Sequence, residues 1–178
     1  MRPSLAAPPA RGWTLSELLV TVLVCAVLLT LTGPSFSRFL LQRELEGLSA
    51  QLQHDLQVLR TAAVSRQEPL RWSLLTGTGG TCSLVHSGEA ADCSCASPAR
   101  CGGTARLMRS LVVRATDPPV SLSSNVGSMR IDPRHGTVSP TGSIELASRD
   151  GHTIRHVVNI LGRVRTCSPS GMSGLPRC

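Results

Sequence analysis

LQRELEGLSAQLQHDLQVLRTAA, Leu41–Ala63, decides the fold. Leu41, Leu45, Leu48, Leu52, Leu56, Leu59 and Ala63 follow one another by steps of 4, 3, 4, 4, 3 and 4. That is one apolar stripe at the helical period. Arg43, Glu44, Glu46, Gln51, Gln53, Asp55, Gln57 and Arg60 lie between and suit a wet face. A stripe this regular needs a sheet to cover it. A coiled coil is the weaker reading, because the charges do not fall into flanking positions.

Upstream the pattern changes. Leu18–Leu31 carries no charge at all, and Glu17 stands at its mouth. One helix from about Thr14 to Ser65 would be roughly 75–80 Å long at 1.5 Å per residue. Its first half is apolar all round and so calls for lipid or a bundle of identical segments. Pro34 removes a backbone donor and predicts a bend, and Gly33 and Gly47 weaken the helix further. A carboxylate in such a segment asks for a partner, because burying it uncompensated in a membrane costs at least ~2.5–3.5 kcal/mol at the helix centre. An ordinary secretory signal would want a small-residue cleavage site after the apolar run. Leu31-Thr32-Gly33-Pro34 offers only a poor one.

Beyond Arg66 the periodicity turns to β. Leu70–Leu75, Leu107–Ala115, Val120–Leu122, Ser128–Ile131, Ser143–Ala147, Thr153–Ile160 and Val164–Cys167 are short apolar or alternating runs punctuated by Gly, Pro, Asp and Asn. Asp150-Gly151 marks a hairpin turn. The fold class is therefore α+β, a long N-terminal helix packed on antiparallel β-sheet. The boundaries are 1–12 leader, 13–33 apolar half-helix, 34–66 amphipathic half-helix and 67–178 β-rich domain.

The chain has no Lys and no Tyr, and all 18 basic side chains are Arg, each a planar donor fork suited to phosphate. Without Arg2 and Arg11 of the leader, 16 arginines face 11 acids, a net charge of +5. Cys25 sits in the apolar run and reads as a buried hydrophobe. Cys82, Cys93, Cys95, Cys101, Cys167 and Cys178 are an even set that reads as disulfides in an exported domain. Six cysteines allow fifteen pairings. Zinc at Cys93, Cys95 and Cys101 is disfavoured, because one residue separates Cys93 from Cys95 where structural sites use two to four, and only His86 is near in sequence. The residues between Thr76 and Gly103 read as a Gly/Ser/Ala-rich loop without its own core. His54, His86, His135, His152 and His156 are scattered, with no activated Ser or Cys arrangement, which argues against an enzyme and against any cofactor.

At Arg2, Arg11, Gly12, Trp13 and Glu17 the chain resembles the type IV pilin-like superfamily: a basic leader, a cleavage-site Gly, an aromatic first mature residue and a Glu four residues on. Trp13 replaces the usual Phe, and Ser16 a usually apolar residue. The resemblance implies cleavage between Gly12 and Trp13 by a prepilin peptidase and N-methylation of Trp13. It also implies pairing of Glu17 with the amine of a neighbouring subunit during assembly. It implies a bacterial inner-membrane protein, single-pass, with its C-terminal domain in the periplasm and other pilins or pseudopilins as partners. A Cys167–Cys178 bridge closing the C-terminal loop is common in such proteins. The tail, from Gly142 through Ile144 and Arg155–Ile160 to Gly162-Arg163-Val164-Arg165 and Cys167, is similar to the FimT/FimU/GspH group. That group implies a minor pilin or type II secretion minor pseudopilin acting in tip assembly or priming. In FimT-type members a Gly-Arg-x-Arg motif is linked to DNA capture, so Gly162, Arg163 and Arg165 are candidates for contact with a DNA backbone. No aromatic platform for stacking bases accompanies them.

Side-chain alternation sends Arg163 and Arg165 to one side of their strand and Val164 to the other. A three-residue loop, Leu161 to Arg163, would set Val164 opposite Ile160 on the apolar face and leave both arginines in water. His156 is then a core histidine with its partners satisfied.

Overall fold

The helix forms where the leucine period predicts it. The computed structural model describes residues 12–178 except 79, 97 and 115–118, without the side chains of 31–35. In it α1 spans Leu15–Arg66. Thr14 starts the helix, its Oγ1 accepting from the Glu17 N–H at 3.3 Å. Gln67 ends it in the left-handed conformation at φ 53°, with its side-chain amide donating to the Val64 carbonyl at 2.8 Å.

The chain divides into two units, Met1–Phe39 and Leu40–Cys178. In the first, the apolar side chains from Trp13 to Leu29 stand at least half exposed, Leu15 at 81%. Among the described residues no helix is long and apolar enough to cross a membrane. The membrane-spanning character expected of residues 13–33 is thus not carried by the structure. Leader residues 1–11 lie outside the described residues, and α1 runs through Pro34, which does not end it.

Among its described residues the second unit holds eleven strands: β1 Leu70–Gly77, β2 Gly80–Ser87, β3 Cys93–Ser94, β4 Arg100–Cys101, β5 Leu107–Val113, β6 Val120–Ser124, β7 Ser128–Ile131, β8 Val138–Ser139, β9 Gly142–Ser148, β10 Thr153–Val158 and β11 Val164–Cys167. They form sheets ordered β5-β2-β1-β7-β8 and β11-β10-β9-β6, plus a β3-β4 ribbon. Among the described residues every pairing between these strands is antiparallel, and one isolated parallel bridge joins Ser168 to Arg177. The leucine stripe joins the two larger sheets. Leu45, Leu52, Leu56, Leu59 and Ala63 share one core with Trp72, Val85, Leu111 and Met129 of the first sheet and Leu122, Ile144, Leu146, Ile154 and Val158 of the second.

Three expectations need correction. The segment after Thr76 is not a loop: β2 is a long inner strand, buried along nearly its whole length. Its Ser and His residues hid it, because both its faces are covered and no alternation is needed. Cys82, Leu84, Cys93, Cys95 and Ala99 also form a small core there. The connection from β10 to β11 is longer than the expected three residues. Val158 faces Val164, so Asn159–Arg163 form the turn and Ile160 lies in water, 62% exposed. The shift is an even number of residues, so Val164 keeps the core side and Arg165 the wet side. Finally, Asp55 is not on a wet face. It is 4% exposed, facing Arg109 of β5 with Oδ1 4.0 Å from Nε. Burial pushes its carboxyl above the usual range, against the pull of Arg109 and His54.

Polar stitches complete the helix-to-sheet contact. Ser49 of α1 reaches Nε2 of His156 at 3.0 Å, His156 Nδ1 reaches Thr166 Oγ1 at 2.9 Å, and Thr166 donates to Gln53 Oε1 at 3.3 Å. The chain runs from helix to β10 to β11 and back to the helix. Since Thr166 gives its proton to Gln53, it accepts from Nδ1–H, and Nε2 accepts from Ser49. His156 is fully buried, and desolvation pushes its pKa down from 6.5 to about 4. A group so depressed contributes stability that is present above its unfolded pKa and lost as pH falls towards the folded one. A shift from 6.5 to about 4 corresponds to about 3 kcal/mol. His156→Gln should therefore destabilise the domain at pH 7 by ~1–3 kcal/mol. It should also flatten the loss of thermal stability between pH 6.5 and about 4, read from Tm against pH.

Candidate functional site

Two features point outward. The first is the head of α1. Gly12, Trp13 and Thr14 precede the helix, and Trp13 is 73% exposed. Glu17 sits in the first helical turn, exposed, and no ion pair to it occurs among the described residues. An acid in the first turn is favoured by the helix dipole, whose positive end lies there. The helix beyond it presents an exposed apolar surface, with this single carboxylate at its start.

The second feature is the turn Asn159–Arg163. Gly162 N–H donates to the Asn159 carbonyl at 2.9 Å, and Arg163 N–H donates to Asn159 Oδ1 at 2.9 Å. Asn159 thus ties the turn through both its backbone and its side chain. Val138 N–H donates to the Ile160 carbonyl at 2.9 Å, fastening the turn to the other sheet. Arg163 and Arg165 are exposed, and Arg165 lies opposite Val157. Ile160 and Leu161, 62% and 52% exposed, share the tip with them.

Sequence reasoning missed Arg60 here. It was assigned only to the wet face of the helix, and nothing in the local pattern ties it to a turn a hundred residues on. Its Nε donates to the Gly136 carbonyl at 3.3 Å, and its side chain lies across Gly162. The turn needs glycine on two counts: φ is +71°, and a Cβ would lie 2.6 Å from Arg60 Cδ. No carboxylate pairs with Arg60, Arg163 or Arg165 among the described residues. Arg60 therefore adds a third guanidinium to the motif.

The cysteines form three disulfides, Cys82–Cys95, Cys93–Cys101 and Cys167–Cys178, closing loops of 13, 8 and 11 residues. Loops of this size correspond to about 3 kcal/mol each in the chain-entropy picture. Cys25 is a free cysteine and is exposed in its unit. Two histidines pair locally, His135 with Asp132 at 3.1 Å and His152 with Asp150 at 3.7 Å. His86 and His156 each touch a serine hydroxyl but are fully buried, so no substrate reaches either pair.

A helix whose stripe closes two antiparallel sheets, stapled by disulfides, is the architecture expected of a pilin-like subunit. The family described as type II transport protein GspH matches residues 48–162, and the chain belongs to that family. No curated protein matches the chain. Among solved structures it is similar to the type IV minor pilin FimU of Pseudomonas aeruginosa, with a TM-score of 0.51 at 14% identity. The match covers 75% of this chain and 96% of that one, and it shows the common fold. The matched family region takes in Gly162 and stops before Arg163 and Arg165.

Gly162→Ala should lower stability by ~1–3 kcal/mol, because the left-handed backbone and the Arg60 side chain both resist a Cβ. Thermal unfolding of the variant checks this.

Proposed function

We propose that the protein is a minor pilin or pseudopilin of a type IV pilus or a type II secretion filament, a structural subunit and not an enzyme, acting in tip assembly or priming. The observation that carries this reading is the first half of α1. Its apolar side chains are exposed from Trp13 to Leu29, with Glu17 alone at their head. Monomeric proteins do not leave so large an apolar surface open; it marks association with other chains or with lipid. In this reading residues 1–12 are a leader cut between Gly12 and Trp13, and the new amine at Trp13 is methylated. The inner membrane holds residues 13–33 before assembly, and the C-terminal domain, 67–178, lies in the periplasm. Inside a filament, Glu17 neutralises an amine of the next subunit. An unpaired carboxylate would be costly in that apolar setting.

Glu17→Lys should abolish incorporation into filaments while the Leu40–Cys178 unit stays folded, because Glu17 lies outside that unit. Co-purification with filaments, with circular dichroism of the variant as control, checks this. Normal incorporation of the lysine variant would sink the reading.

A second reading rests on the arginine turn. Exposed, acid-free Arg163 and Arg165, with Arg60 beside them, suit a phosphate backbone. Such contact would be indifferent to sequence and sensitive to salt, with a slope near −0.9 per phosphate contact. Replacing Arg163 and Arg165 by Ala should remove duplex binding and leave Tm unchanged, since exposed charges contribute little to stability. Gel-shift titrations at several salt concentrations measure this, and a wild-type chain that binds no duplex would end the reading.

A further inference from the structure

His86, Cys93 and Cys101 lie together beside β2, and the pilin reading uses none of them. One ring nitrogen of His86 and the two sulfurs fall within 4.8 Å of one another. We propose that, with the Cys93–Cys101 bond open, these three residues form a site for a thiophilic divalent cation of the zinc class.

The donor set, two sulfurs and an imidazole nitrogen, matches the thiolate and imidazole ligands that zinc takes. His86 is fully buried, and its Nδ1 lies 2.9 Å from the Ser87 carbonyl. That oxygen can only accept, so Nδ1–H donates to it and the proposed ligand atom is Nε2, which keeps its lone pair. A backbone carbonyl on the second nitrogen is the usual support of a metal-bound histidine. The lone pair is now engaged by the Ser73 hydroxyl at 2.9 Å, a partner that a rotating hydroxyl can surrender.

The two sulfurs do not depend on their mutual bond for position. Cys93 and Cys101 face each other across the β3-β4 ribbon. Gly102 N–H donates to the Asp92 carbonyl at 2.8 Å just beside them. Asp92 Oδ2 accepts from the Glu89 N–H at 3.0 Å, and Glu89 is ion-paired with Arg71 of β1. The Cys82–Cys95 bond ties the same segment to β2. Breaking one bond therefore leaves the pair in place.

The chemistry is a switch. A thiol reductant supplies two electrons and two protons, the Cys93–Cys101 bond breaks, and two thiols result. The cation then displaces both thiol protons and binds two thiolates and the imidazole. A disulfide oxidant takes the two electrons back: its S–S bond breaks to two thiolates, the Cys93–Cys101 bond reforms, and the cation is released.

The test is metal titration of the full chain in detergent, oxidised and reduced, with Co²⁺ as the spectroscopic probe and Zn²⁺ as competitor. Reduced chain should bind one ion with thiolate-to-cobalt charge transfer, and oxidised chain none. Loss of a direct ligand in His86→Gln or Cys93→Ser should weaken binding by more than the ~10–100-fold typical of an outer-shell partner. The double variant Cys82→Ser, Cys95→Ser should retain the site. Unchanged binding in His86→Gln, binding lost only in the double variant, or no binding by reduced chain that is still folded, would each overturn the proposal. Should His86→Gln fail to fold, X-ray absorption of zinc on the wild type decides: two sulfurs with one imidazole nitrogen support the site, and a shell of sulfur alone overturns it.

Discussion

Everything in the Leu40–Cys178 unit depends on one helix stripe reaching two sheets at once. Leu45, Leu52, Leu56, Leu59 and Ala63 are all at most 4% exposed, and they contact strands from both sheets in one continuous core. Burying four leucines contributes on the order of 6–12 kcal/mol, as an upper estimate against an extended chain. The sheets alone would each leave an apolar face open. The helix closes both.

Around that apolar seam the polar contacts are few and specific. The relay from Ser49 through His156 and Thr166 to Gln53 fixes the helix against β10 and β11. Arg60 fixes its far end against Gly136 and the β10-β11 turn. Asp55 and His156 pull the acid response in opposite directions. The raised carboxyl of Asp55 contributes stability that is complete below its unfolded value of 3.8 and is lost as pH rises through its folded value. His156 does the reverse between 6.5 and about 4. Both effects come from burying a titratable group, and in both the apolar seam is the cause.

Much of this was legible in the sequence because periodicity reports burial. The leucine spacing gave the helix face. Alternation gave β9 and β10, whose buried residues fall at every second position. The failures share a cause. β2 is covered on both faces, so its Thr-Cys-Ser-Leu-Val-His-Ser run needs no alternation and shows none. Asp55 sits among polar neighbours on the helix and is buried only because β5 folds over it. The five-residue turn hid because Ile160 looks like a strand residue, while Asn159 ends the ladder by capping Arg163. The arginine side of β11 was legible, since parity survives a shift of two. Arg60 was not, since only tertiary structure brings residue 60 to residue 162. The His86, Cys93 and Cys101 cluster was hidden likewise, because β2 was not seen as a strand.

Hydrogen exchange of the full chain, with and without Leu52→Ala, tests the central claim most directly. Loss of one buried leucine side chain should cost ~2–5 kcal/mol. If the stripe unites the core, amides of β1 and β2 and of β9 and β10 should lose protection together and by the same amount. Wild-type protection persisting in β9 and β10 while β1 and β2 open would show two independently stable sheets, and would contradict the account.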